Sequence, residues 1–154
     1  MTDTSTPLDI EKEIAIAAPV ERVWRALTDH EAFGTWFRVA LDGPFAVGRS
    51  VTGKMTYPGF EGWPFEATVV AMDAPTRFVF TWVPDSGDEA PTAASGPRTT
   101  VTFTLRPSAG GTILTVREAG FERLDPARRV GAMRDNEKGW EIQMQNIAEH
   151  VAAG

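Results

Sequence analysis

Residues 136–151, NEKGWEIQMQNIAEHV, decide how the rest of the chain has to be arranged. Trp140, Met144, Ile147 and Val151 recur at helical spacing, and the stripe runs back through Glu137 and Met133 to Val130. Asp125 is a good N-cap and Pro126 suits a first helical position, so the helix is expected to start there. Roughly 27 residues at 1.5 Å each make a rod about 40 Å long, enough to cross a small domain. Gly139 is the anomaly, because a mid-helix glycine costs roughly 1 kcal/mol relative to alanine. The expectation is that it lets a backbone or a neighbouring ring approach, while Trp140 fills or walls the space beyond. On that reading a leucine at 139 disturbs the packing of the long helix.

Upstream, the period changes twice. IEKEIAIAA, residues 10–18, puts Ile10, Ile14 and Ile16 on one strand face, with Lys12 the exception on it. From Pro19, expected as a first helical residue, Val20, Val23, Trp24 and Leu27 follow at helical spacing. TDHE, Thr28 to Glu31, matches a capping box ahead of a second short helix, AFGTWF. From about residue 45 come strand-like runs rich in Val, Thr and aromatics: GRSVTGKMTY, WPFEATVVAM, RFVFTWV, RTTVTFTLR and GTILTVREA. Phe78, Phe80 and Trp82 share one face, as do Val101, Phe103 and Leu105, while Thr100, Thr102 and Thr104 take the other. PDSGDEAPTAASGP, residues 84–97, is expected to be a long mobile loop, and residues 1–8 a disordered N-terminus. One α+β domain over residues 9–154 follows, in which a curved antiparallel sheet of about six strands wraps the long C-terminal helix. Two short helices follow its first strand.

Composition removes whole classes of chemistry. The absence of cysteine excludes disulfides, thiol nucleophiles and sulfur-ligated zinc. The two histidines, His30 and His150, are too few for an imidazole-rich metal site, and a solvated or capping role suits each. No metal or other cofactor is expected. A net charge of −6 without a Lys/Arg run argues against nucleic acid and anionic membranes as partners. The polar N-terminal MTDTSTPLD lacks the charged-then-apolar order of a secretion signal, and no apolar run approaches the roughly 18 residues of a membrane span, so the cytoplasm is the expected location.

Four strings carry a family resemblance: IAAPVERVWRALTDHEAFGTWF (16–37), ATVVAMDAPTRFVFTWV (67–83), RTTVTFTLRPSAGGTILTVREAGF (98–121) and GWEIQMQNIAEHV (139–151). Their joint order resembles the START-like or birch-pollen-allergen-like superfamily, SRPBCC, and within it the branch related to activators of the heat shock protein 90 ATPase. The resemblance implies a helix-grip fold with an apolar chamber between sheet and long helix. Members use that chamber to bind lipids, hormones or polyketides, or for enzymes, without a universal catalytic motif. It implies no catalytic residue here. By position it puts Trp140 and Met144 on the chamber side of the helix, and Phe80, Trp82, Phe103, Leu114 and Val116 on the facing sheet. Full activators also use a separate upstream domain, whereas the first strand expected here begins near Ile10, so the co-chaperone role is the less transferable part.

The candidate ligand-binding residues are Trp36, Phe80, Trp82, Phe103, Leu114, Val116, Glu118, Met133, Glu137, Trp140 and Met144. Strand parity places Glu118 with Thr112, Leu114 and Val116, so it is either a polar anchor facing inward or a strand-end residue reaching solvent. Glu137 either projects into the chamber or is simply wet. If both faced one pocket, the pair could perform general acid and base work. The aromatics of TYPGFEGWPF, chiefly Tyr57, Phe60 and Trp63, form a lid, a subunit contact or a core edge together with Trp36, Phe37 and Phe65. Three functions remain open: binding of a small hydrophobic molecule, a cyclase or dehydratase acting on a polyketide-like substrate, and an interaction protein modulating a chaperone ATPase. A monomer or homodimer is compatible with each.

Overall fold

A computed structural model of the chain describes residues 8–84 and 97–153. The loop expected at 84–97 and the N-terminal segment 1–8 fall almost wholly outside the described residues. Among these, the elements run β1 (Asp9–Ile16), α1 (Val20–Thr28), α2 (His30–Phe37), β2 (Val39–Leu41), β3 (Ser50–Met55), β4 (Pro64–Asp73), β5 (Arg77–Trp82), β6 (Thr99–Ser108), β7 (Gly111–Ala119), a 3₁₀ turn (Phe121–Arg123) and α3 (Pro126–Ala152). The seven strands form one sheet in the order β1-β7-β6-β5-β4-β3-β2, antiparallel throughout. This is the expected helix-grip architecture, with one strand more than the pattern shows. β2 is three residues long and follows α2 at once, too short for any period to register.

The turn into β2 rests on two local devices. A Cβ on Gly34 would run into the Val39 carbonyl oxygen, so glycine is what lets the strand start so close to the helix. Arg38 caps α2 at φ 71°, in the left-handed region, and its N–H donates to the Gly34 carbonyl. The caps of α1 and α2 sit one residue away from where the sequence suggests. Pro19 is the N-cap of α1 rather than its first helical residue. Asp29, not Thr28, caps α2, accepting from the Glu31 N–H, while the Thr28 hydroxyl donates back to the Trp24 carbonyl. The start of α3 is as expected, with Asp125 accepting from the Ala127 N–H and Pro126 leading the helix.

Sheet register follows side-chain parity. Phe78 lies opposite Phe103 and Phe80 opposite Val101, and all four are fully buried. Phe78 and Phe103 stack at a 6.2 Å centroid distance, and Phe45 meets Phe78 edge-on at 5.1 Å. Fully burying one such ring contributes about 1.5–3 kcal/mol. An irregularity in the β4–β5 register between Val69 and Ala71 leaves Val70 exposed, and such a bulge bends the strand and increases the twist. The curved sheet then receives α3, whose Trp140, Met144, Ile147 and Val151 are buried as the stripe requires. The N-terminal half of the stripe differs. Val130 is 71% exposed, and the buried residue there is Ala132.

Two charges that break the pattern explain each other. Lys12, on the inner face of β1, reaches α3 and donates to Glu137 and Glu141, both at 3.1 Å. These two bonds, the one to Glu141 foremost, raise the lysine pKa above its usual value. No helix among the described residues is long and apolar enough to cross a membrane.

Candidate functional site

The middle of the molecule is filled. Phe80, Phe103, Leu114 and Val116 have no exposed surface, and Trp36 and Met144 are nearly as buried. Trp36 also donates its indole N–H to the Ala26 carbonyl at 2.8 Å, tying α2 to α1. The open space lies to one side, between the β3–β4 hairpin and the N-terminal two thirds of α3. There a cleft of about 910 Å³ is walled by Phe37, Met55, Tyr57, Phe60, Trp63, Phe65 and Trp82, with Ala132, Asn136, Gly139, Ile142 and Gln143 contributed by α3. A side pocket of about 130 Å³ adjoins it and adds Trp140. The residues expected to line a central chamber therefore divide: Trp82 borders the cleft and Trp140 the side pocket. Phe80, Phe103, Leu114, Val116, Trp36, Met133 and Met144 line neither.

Tyr57, Phe60 and Trp63 stand together at the rim. The β3–β4 turn holds them in a row, with Phe60 meeting Trp63 at 5.1 Å and 90° and Tyr57 at 6.2 Å. Phe60 is 45% exposed. Phe37 and Phe65 extend the aromatic wall inward, 5.8 Å apart and in contact with Trp82. Apolar walls with a few placed polar groups are the usual make-up of a small-molecule site, and its volume is within the usual range of about 300–1,000 Å³.

Behind the cleft wall sits a carboxylate. Glu118 is fully buried, which settles its position in favour of the inward face. Its Oε2 accepts from the Trp82 indole at 2.8 Å and the Thr99 hydroxyl at 2.6 Å; its Oε1 accepts from the Trp140 indole at 2.9 Å. The Asn136 amide group spans both oxygens, at 3.0 and 3.2 Å. A buried carboxylate without such donors would be severely penalised. Glu118 thus organises the wall from the second layer rather than offering a free oxygen to the cleft. Glu137 is exposed and turned to Lys12. The two carboxylates do not converge on one pocket, and the acid/base pair drawn from their separate periodicities is corrected accordingly.

Ala132, Asn136 and Gln143 were not singled out from sequence. With Gly139 they recur at spacings of 4, 3 and 4, a second stripe beside the apolar one. Being small and polar it reads as a solvated face, yet its periodicity was the available signal. Gly139 is also corrected. Nothing lies within 4 Å of a Cβ built there, so the glycine admits no close neighbour; it leaves cleft volume open. Among the described residues no group of three or more His, Asp or Glu is arranged to hold a metal ion.

A curved sheet gripping a C-terminal helix, with an apolar cleft beside that helix, defines a START-like domain. The chain belongs to the Activator of Hsp90 ATPase homolog 1-like protein family, whose model matches residues 17–152. Among solved structures it is similar to protein MLL2253 from Mesorhizobium loti, at 25% identity and TM-score 0.75, over 94% of this chain and 97% of that one. Two others share the fold alone. A protein from Arthrobacter aurescens has 17% identity and TM-score 0.77, over 96% and 87% of the two chains. DynU16, from the dynemicin biosynthetic locus, has 22% identity and TM-score 0.72, over 96% of this chain and 48% of that one. No curated protein matches the chain significantly in sequence.

Proposed function

We propose that this domain binds a small, mainly apolar, ring-bearing molecule in the cleft between the β3–β4 hairpin and α3. The observation that carries the reading is the 910 Å³ space itself, walled by six aromatic side chains. The cleft is open to water, and an apolar ring bound there would remove both its own surface and the aromatic wall from that water. Phe37, Phe65 and Trp82 form the floor, and the row Tyr57, Phe60 and Trp63 forms a rim able to fold over a bound ring. Native mass spectrometry of freshly purified protein, followed by a screen of fatty acids and polycyclic aromatics, tests the proposal. Retention of one class at micromolar affinity supports it; a protein that retains nothing and quenches with none of them refutes it.

The family description supports a second reading, modulation of a chaperone ATPase. Adding the isolated chain to Hsp90 and measuring ATP turnover decides it: stimulation would shift attention from the cleft to the surface. A cyclase or dehydratase in the same cleft would need a proton carrier other than the Glu118 and Glu137 pair.

A further inference from the structure

We infer that Asn136 Oδ1 is a fixed hydrogen-bond acceptor in the cleft, so that the ligand is a planar apolar ring system bearing a hydroxyl or N–H donor. The inference deepens the proposed function and rests on it. A carboxylate only accepts, so Glu118 compels the Asn136 carboxamide to turn its NH₂ inward, where it spans both carboxylate oxygens at 3.0 and 3.2 Å. The carbonyl oxygen must then face the other way. It has no partner among the described residues and is not sealed from solvent, and Asn136 lines the cleft and the side pocket alike.

The neighbouring carboxamide cannot share this role. Gln143 donates to the Phe37 carbonyl at 3.1 Å while its own oxygen accepts from Asn146, also at 3.1 Å. The carboxylates of the cleft wall are occupied or wet: Glu66 Oε1 lies 2.8 Å from Arg98, an ion pair without hydrogen-bond geometry, and Asp42 and Asp135 are exposed. Asn136 therefore presents a neutral amide acceptor beside the Trp82 ring, on a lining that also carries the Thr52 and Tyr57 hydroxyls. Glu118 is a positioning residue, since it sets which end of that amide the ligand meets. An acceptor left bare by a ligand without a donor is penalised, which is how such a group discriminates.

The test compares 2-naphthol with 2-methoxynaphthalene, the same ring with and without a donor, by calorimetric titration of the full chain. The ratio of their dissociation constants is measured in wild type, Asn136→Leu and Glu118→Gln. We expect the preference for 2-naphthol to shrink about 5-fold or more in both variants, the size of one neutral hydrogen bond. In Glu118→Gln this happens although Asn136 is intact, because the new amide no longer dictates the sense of its neighbour. An unchanged ratio in Asn136→Leu overturns the inference while leaving the ligand-binding reading intact. An unchanged ratio in Glu118→Gln overturns the positioning role. Failure of both naphthalenes to bind wild type overturns the inference, while the reading beneath it falls only if the wider screen of fatty acids and polycyclic aromatics also finds nothing. Should a variant not fold, the wild-type protein answers: the Asn136 side-chain carbonyl ¹³C resonance should move with 2-naphthol and not with 2-methoxynaphthalene, and equal shifts count against the inference.

Discussion

Trp82 and Trp140 stack with ring centroids 5.7 Å apart and planes 26° from parallel, each indole N–H on a different oxygen of Glu118. The sheet supplies one ring and α3 the other, so one buried carboxylate fixes how the helix sits on the sheet beside the cleft. Glu118→Ala leaves two indoles, a hydroxyl and an amide without their acceptor. We expect a loss of about 2–4 kcal/mol in urea denaturation, since a buried donor left unsatisfied costs about 1–3 kcal/mol and losing the buried carboxylate offsets part of the sum. The near-UV circular dichroism of the tryptophans should change with it. A loss below about 0.5 kcal/mol with an unaltered spectrum would show that the network does not hold the rings.

Gly139 separates stability from binding. Since its Cβ position is empty, Gly139→Ala should stabilise the protein by about 0.5–1 kcal/mol through helix propensity. Gly139→Leu should fold normally yet fill part of the cleft, weakening 2-naphthol binding about 10-fold or more. Destabilisation by leucine, with binding preserved, would restore the close-packing role that the sequence suggests.

Lys12 sets an alkaline limit. A lysine with a folded pKa above its unfolded 10.5 contributes stability that is complete below 10.5 and is lost as the pH rises through the folded value. Wild type should lose more thermal stability than Lys12→Met on going from pH 9.5 upward through that window. Because Glu137 and Glu141 are largely exposed, the pair should contribute only about 0.5–1 kcal/mol, less in high salt. Parallel melting curves for the two proteins across the window would contradict the assignment.

Phe60, at the rim, should matter to the ligand more than to the fold. Phe60→Ser is expected to change unfolding free energy by no more than about 0.5 kcal/mol, while ligand release, followed by stopped-flow fluorescence, accelerates several-fold. A variant that releases ligand at the wild-type rate would make the aromatic row a surface feature unrelated to the cleft.

Much of the fold was legible because alternation and helical spacing report burial directly: Phe78, Phe80, Val101 and Phe103 sit where parity puts them. The site was less legible, for a physical reason. Residue type identifies Phe103 and Trp82 equally as ring-bearing and inward, whereas only three-dimensional packing shows that one is enclosed and the other borders open space. The apolar stripe pointed at Val130, but α3 overhangs the cleft along a different line, marked by Ala132 and Gly139. Lys12 and Glu137 each looked like an exception to its own period. An unlike pair of exceptions on facing elements is itself a contact prediction, and it fits the ion pair that joins β1 to α3.

The two borders of the sheet differ in a way that bears on the protein at high concentration. β1 and β2 are its outer strands, and an unpaired strand border invites another chain to add on and begin an aggregate. β2 offers only three residues for such templating. β1 offers eight, but its run DIEKEIAI puts Asp9, Glu11 and Glu13 on one face, so a second copy aligning there antiparallel would bring like charges together. Brevity guards the border nearest the cleft and charge guards the far one, which lets the cleft side stay apolar without turning the sheet into a seed for fibrils.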